Sequence, residues 1–158
     1  MNSIDTALSR FAAGFNCSQA VLSVYAGQFG LDDEAALKIA SGFGGGMGRM
    51  AGTCGAVTEA FMVLGLRYGQ ASSDAEAKEA IYFRIREFAD RFQARNGSLL
   101  CRDLLGCDIS SPEGLRRARN EKLPATLCPK FVRDAAEILE EILGGLVIAL
   151  PQDSQKNG

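Results

Sequence analysis

Histidine and tryptophan are both absent from the 158 residues. Without an imidazole the chain cannot supply the base of a Ser–His or Cys–His nucleophile, nor a zinc shell that mixes thiolate and imidazole. Only an all-thiolate, thiolate–carboxylate or externally completed metal site stays open to it. Charge of neither sign dominates: 17 Lys and Arg stand against 19 Asp and Glu, a formal net charge of −2. Phosphate recognition needs a basic surface, so nucleic acid is not expected as a main partner. Long apolar runs are missing too. The strongest, residues 60–66 and 142–150, contain glycine and fall far short of the ~20 residues that a spanning helix needs, so no membrane insertion is expected. Residues 1–10 show no basic region followed by an apolar run, the pattern of a signal peptide.

What the chain does contain is an ordinary globular balance, 47% hydrophobic and 23% charged, at a length that buries a core without staples. One helical domain is expected over residues 1–150, with 151–158 as a flexible tail. Eighteen glycines and five cysteines are the unusual holdings. An odd number of cysteines fits poorly with a fully paired secreted framework. A cytoplasmic, reducing location is the expectation, and there a set of cysteines is redox-active or metal-binding more often than structural.

The periodicity is helical almost throughout. Ile4, Leu8, Phe11 and Phe15 share one face. Asn16 can cap a second helix carrying Cys17, Val21, Val24 and Tyr25, and Asp32 a third through Leu37 and Ala40. A fourth restarts at Thr53-Cys54, and a long one from Asp74 buries Ile81, Ile85, Phe88 and Phe92 before stopping at Asn96-Gly97. Ser98 can cap a short helix with Cys101 inside it, near the face of Leu100, Leu104 and Leu105. Ser111-Pro112 opens a basic helix, and Cys128-Pro129 is expected to open the last. No alternation of strand type competes. The pattern predicts an all-α bundle of about seven helices.

One segment breaks the pattern. Seven of the fourteen positions from 42 to 55 are glycine, a density no stable helix interior tolerates at about 1 kcal/mol each. Gly46-Met47-Gly48-Arg49-Met50-Ala51 imitates a dinucleotide fingerprint. That fingerprint requires a preceding strand, and here helices flank the loop on both sides. Two readings remain open: a tight crossover whose glycines serve packing, or a loop whose amides approach an anion or the sulfur of Cys54. Arg49 is the one charge in the loop that favours an anionic guest.

Cys17, Cys54 and Cys128 each fall at the predicted start of a helix. Free N–H groups and the positive end of the dipole stabilise a thiolate there, lowering its pKa from about 8.5 toward neutrality. The alternative is that each is a small buried thiol. Cys101 reads equally as a core filler, and Cys107, after Gly106, as a loop residue, ligand or resolving thiol.

Taken with their neighbours, these cysteines carry a resemblance. Asn16-Cys17-Ser18-Gln19-Ala20, then Gly42-Phe43-Gly44-Gly45-Gly46 leading to Cys54-Gly55-Ala56, then Cys101-Arg102-Asp103-Leu104, then Cys128-Pro129-Lys130-Phe131-Val132 resemble the C_GCAxxG_C_C family over residues 10–143. These are small bacterial and archaeal proteins described as redox-active. The resemblance implies that Cys17, Cys54, Cys101 and Cys128 are the family's four shared cysteines, with Cys107 an extra one carried by a subset. It also implies a link to a transporter, since some members are thought to lie near transporter genes. One position departs from the family: its central motif ends in glycine, and here Glu59 stands there.

The expected function is therefore a cytoplasmic thiol redox protein with an as yet unidentified redox partner. Cys17 and Cys54 would act as low-pKa thiolates and Cys101 and Cys128 as partners or resolvers, with Gly46, Arg49, Gly55 and Cys107 auxiliary. The same four cysteines could instead hold an iron–sulfur cluster or zinc. Their spacings of 37, 47 and 27 residues lack the close pairs such sites favour. A third reading is a transporter accessory whose cysteines only pack. The apolar segment 146–150 is expected to cover its own core or, in a homodimer, a second subunit.

Overall fold

The computed structural model describes residues 1–144; the expected tail at 151–158 and the segment 146–150 lie outside the described residues. Eight right-handed α-helices are present among them: α1 (Ser3–Ala12), α2 (Cys17–Tyr25), α3 (Asp33–Ala40), α4 (Gly55–Tyr68), α5 (Ala75–Asn96), α6 (Cys101–Leu105), α7 (Pro112–Asn120) and α8 (Leu123–Leu143). The all-α expectation holds. The described residues contain no strand, only an isolated antiparallel bridge between Thr53 and Leu100.

Local chemistry explains most boundaries. Asn16 caps α2 through a reciprocal box: its side chain accepts from the N–H of Gln19 at 2.9 Å, and Gln19 accepts from the N–H of Asn16 at 3.2 Å. Asp32, Asp74 and Ser111 cap α3, α5 and α7 by the one-way bond alone, each side chain accepting from the N–H three residues on. Gly97 and Gly106 end α5 and α6 in the left-handed conformation that glycine adopts without penalty.

Helix α2 is the centre of the bundle. Seven of its nine residues are buried, and it packs against α1, α3, α4 and α8. A helix covered on nearly every side has no broad face to give to water, and Ser18 and Ser23 are the polar side chains it takes inside. Phe61, Phe88, Phe92 and Phe131 form a chain of ring contacts that ties α4 to α5 and α5 to α8. Outside it, Arg91 and Arg95 bridge to Glu137 and Glu141 across the α5–α8 seam. These exposed pairs contribute little beside the aromatic burial.

The core has two parts. The larger contains Cys17, Cys54 and the apolar faces of α2, α4, α5 and α8. The smaller, built on Ala51, Cys101, Leu105, Ile109 and Ala118, lies beside it, and Cys128 packs against both. The glycine loop runs along their seam.

Two helix starts differ from expectation. Helix α8 begins at Leu123, not at Cys128, because Pro124 occupies its first turn and Pro129 is accommodated within it. Cys128 is thus one turn inside the helix and has no free N–H groups around it. Conversely, Cys101 is the first residue of α6, not an interior one. The bridge between Thr53 and Leu100 displaces the start there, since Leu100 is extended and the N–H of Cys101 is donated to Gly52 O at 2.6 Å.

Candidate functional site

Five consecutive residues, Gly45 to Arg49, have φ between 60° and 67°, and Ala51 follows at 57°. The loop is therefore a turn of left-handed helix, which L-residues adopt at about 1–2 kcal/mol each. Glycine removes that cost at positions 45, 46 and 48; Met47, Arg49 and Ala51 bear it. Backbone bonds hold the turn closed, from Ala51 N–H to Gly45 O at 3.1 Å and from Gly52 N–H to Gly46 O at 3.0 Å. Gly46 has no substitute here: a Cβ on it would lie 2.6 Å from the nitrogen of Gly52. The loop thus reads as a strained, over-determined element, the kind that collects at functional sites.

Its purpose is visible at Cys17. This first residue of α2 is buried, and its sulfur receives hydrogen bonds from the Cys54 thiol and from the backbone N–H groups of Gly45 and Ser18. The Cys54 bond is the strongest influence and, with the amides, outweighs burial, so the Cys17 pKa falls to about 6. Cys54 moves the other way. Donating its proton to Cys17, and buried beside that charge, it is held well above the ordinary thiol value. The expectation of two low-pKa thiolates is corrected to one thiolate and one thiol sharing a proton. Two buried charges at this separation are not sustained together.

Gly55 makes the pairing possible. A Cβ there would lie 2.8 Å from Cys17 Sγ and 2.5 Å from Ser18 Oγ. Cys54 itself is the N-cap of α4, and its N–H is donated to Leu99 O at 2.8 Å. Together with the Cys101–Gly52 bond, this two-residue ribbon lashes the Cys54 and Cys101 segments side by side.

Cys17, Cys54, Cys101 and Cys128 all line one cavity of about 530 Å3, with Gly45, Gly46, Gly55 and Arg49 in the same wall. Leu104, Leu105, Ile109, Leu115 and Phe131 make much of the rest apolar, and Arg49 and Arg119 are the only charged side chains of Arg, Lys, Asp or Glu type in the lining. Burial, with the negative charge on Cys17 second, raises Cys101 to about 11 and Cys128 to about 12. Both are neutral thiols at pH 7. The expected low pKa at Cys128 fails because the residue is not at a helix end. Cys107 is half-buried outside the cavity lining, its thiol 3.6 Å from the carbonyl oxygen of Gly114.

Thiolate shells for zinc or iron–sulfur clusters need several ligands converging on one centre, about 2.3 Å away for zinc. Among the described residues no three Cys, Asp or Glu side chains are grouped closely enough to hold a metal ion together. The four cysteines share a cavity without forming such a shell.

One residue of the site was invisible to motif and spacing. Glu59, on α4 one turn beyond Gly55, is fully buried, and neither carboxylate oxygen has a hydrogen-bond partner. Burial, and secondly the charge of Cys17, raise its pKa to about 7. The only sequence signal was its departure from the family glycine.

Residues 15–142 match the family described as "Putative redox-active protein (C_GCAxxG_C_C)". The chain belongs to this family. No curated protein and no solved structure is significantly similar to it. That description is the one functional statement the family carries, and no helix among the described residues is long and apolar enough to cross a membrane.

Proposed function

We propose that the chain is a thiol–disulfide redox protein in which Cys17 is the attacking sulfur and Cys54 the resolving one. The observation that carries this reading is the asymmetric pair: a thiolate stabilised by a neighbouring thiol and two backbone amides, at the wall of an apolar cavity. Thiolate, not thiol, attacks a disulfide, and a pKa near ambient pH gives the best balance of population and nucleophilicity.

The step runs as follows. The Cys17 thiolate attacks one sulfur of a disulfide R–S–S–R′, forming Cys17–S–S–R and releasing R′S⁻. Cys54 loses its proton and attacks Cys17 Sγ, forming the Cys17–Cys54 disulfide and releasing RS⁻. Two electrons pass from the protein dithiol to the substrate, and a cellular dithiol returns the protein to its reduced form. The cavity volume and its two arginines favour a small organic disulfide bearing an anionic group. Cys101 and Cys128, neutral at pH 7, are not nucleophiles in this scheme. The odd number of cysteines and the need for a reduced pair favour the cytoplasm as the compartment.

The test is oxidation of the reduced protein with a small aromatic disulfide carrying carboxylates, followed by peptide mapping. A Cys17–Cys54 linkage is expected as the dominant product. C54S should stop at the mixed disulfide on Cys17. A product joining another pair, with Cys17 left free, contradicts the assignment.

A further inference from the structure

Glu59, one turn along α4 from Gly55, is a buried carboxyl that this scheme leaves without a task. Its carboxyl is entirely removed from solvent with both oxygens unpartnered, an arrangement that native proteins rarely keep without reason. An unpaired buried carboxyl costs stability.

Its position is informative. Glu59 lies on α4, the helix that Cys54 caps, and shares a helical face with Gly55, four residues earlier. A helical side chain leans over the turn preceding its own Cα. The residues in that turn are Gly55 and Ala56, the smallest available, and Gly55 is the residue that follows Cys54. Ser18, whose buried Oγ is among the groups that lower the Cys17 pKa, borders the same gap beside Gly55.

We infer that Glu59 is the proton acceptor for the resolving thiol Cys54, a role that rests on the dithiol reading above. Once Cys17 is bound in the mixed disulfide, its negative charge is gone. The carboxylate of Glu59 then takes the proton of Cys54: Cys54–SH and Glu59–COO⁻ become Cys54–S⁻ and Glu59–COOH. The Cys54 thiolate attacks Cys17 Sγ, the Cys17–S–S–R bond breaks, and RS⁻ departs with the electron pair. Glu59 afterwards returns its proton to solvent.

The electrostatics agree with this order. While Cys17 is a thiolate its charge favours the protonated carboxyl, and consuming it lowers the carboxyl's hold on the proton. Other titratable groups stand on the elements packed against α4: Tyr25 on α2, Arg84 on α5, and Cys128 and Asp134 on α8. Burial is the larger influence on Glu59 and Cys17 is the charged group that adds to it, so the carboxyl responds to the redox state of the attacking sulfur on top of its burial.

Single-turnover reaction with the same aromatic disulfide separates the two steps, because each releases one coloured thiolate. Glu59→Gln keeps shape and removes the acceptor. It should leave the first release within twofold of the unaltered protein and slow the second about 10²–10⁴-fold, the range of general base catalysis. The pH profile of the second release should lose its carboxyl inflection, which lies below 7 once the Cys17 charge is gone, and Glu59→Asp should recover part of the rate. Equal second-phase rates and profiles in E59Q and the unaltered protein overturn the role of Glu59 while leaving the dithiol reading intact. Absence of a first release in the unaltered protein overturns the dithiol reading and this inference with it. If E59Q proves unstable, Glu59→Ala, a good helix former without the acceptor, gives the same readout.

Discussion

At the scale of single residues the site depends on what is missing as much as on what is present. Cys17 keeps its negative charge because Gly55 has no side chain to separate it from Cys54, and because the Gly45 N–H reaches its sulfur. Gly55→Ala therefore has a defined consequence. Its methyl would lie 2.8 Å from Cys17 Sγ, so the sulfur must move and the bond from Cys54 must lengthen. The same methyl would meet the backbone carbonyl oxygen of Phe43 at 2.8 Å, so circular dichroism first establishes that G55A is folded. Its Cys17 should titrate higher than in the unaltered protein and react at least tenfold more slowly near pH 7, as measured by site-resolved alkylation. An unchanged Cys17 titration in a folded G55A would show that this close approach does not set the thiolate.

Among the elements, those announced by local chemistry were legible and those fixed by tertiary pairing were not. Asn16, Asp32, Asp74 and Ser111 carry their capping role in their own side chains, and α2, α3, α5 and α7 start after them. Cys17 at the head of α2 followed directly. The start of α6 depends on a bridge between Thr53 and Leu100, two residues far apart in sequence and in no alternating pattern. Cys101 was accordingly misplaced. Cys128-Pro129 looks like a helix opening, but the turn at Lys122 and the proline at 124 open α8 earlier. The glycine loop announced that it was not a helix interior, yet its left-handed turn depends on hydrogen bonds spanning six residues, from 51 to 45 and from 52 to 46. Glu59 gave least warning, because a lone glutamate on a helix ordinarily faces water.

In the whole molecule, two buried groups tie stability to pH in opposite senses. Glu59 has its folded pKa raised from 4.5 to about 7. The folded state therefore binds this proton more tightly than the unfolded chain. Stability from this source is complete below pH 4.5, declines as pH rises toward 7, and is constant above, a loss of about 3 kcal/mol at roughly 1.4 kcal/mol per pKa unit. Cys17, lowered from 9.0 to about 6, contributes stability that is full above pH 9 and is lost as pH falls through 6. Urea unfolding of reduced protein across this range should show E59Q gaining on the unaltered chain between pH 4.5 and 7, then holding a constant margin. Parallel pH profiles would mean that Glu59 does not carry a raised pKa in the folded state.

The central claim is that Cys17 and Cys54 are one thiolate–thiol pair, and the pH dependence of Cys17 alkylation tests it most directly. With reduced protein and modification read at each cysteine by mass spectrometry, Cys17 should react first, with an apparent pKa near 6. Cys54 should lag at every pH below 9, and C54A, which unlike C54S leaves no hydroxyl donor, should move the Cys17 titration upward by removing its strongest hydrogen bond. A Cys17 that titrates at or above the unperturbed value of about 8.5, or one indifferent to C54A, would contradict the account.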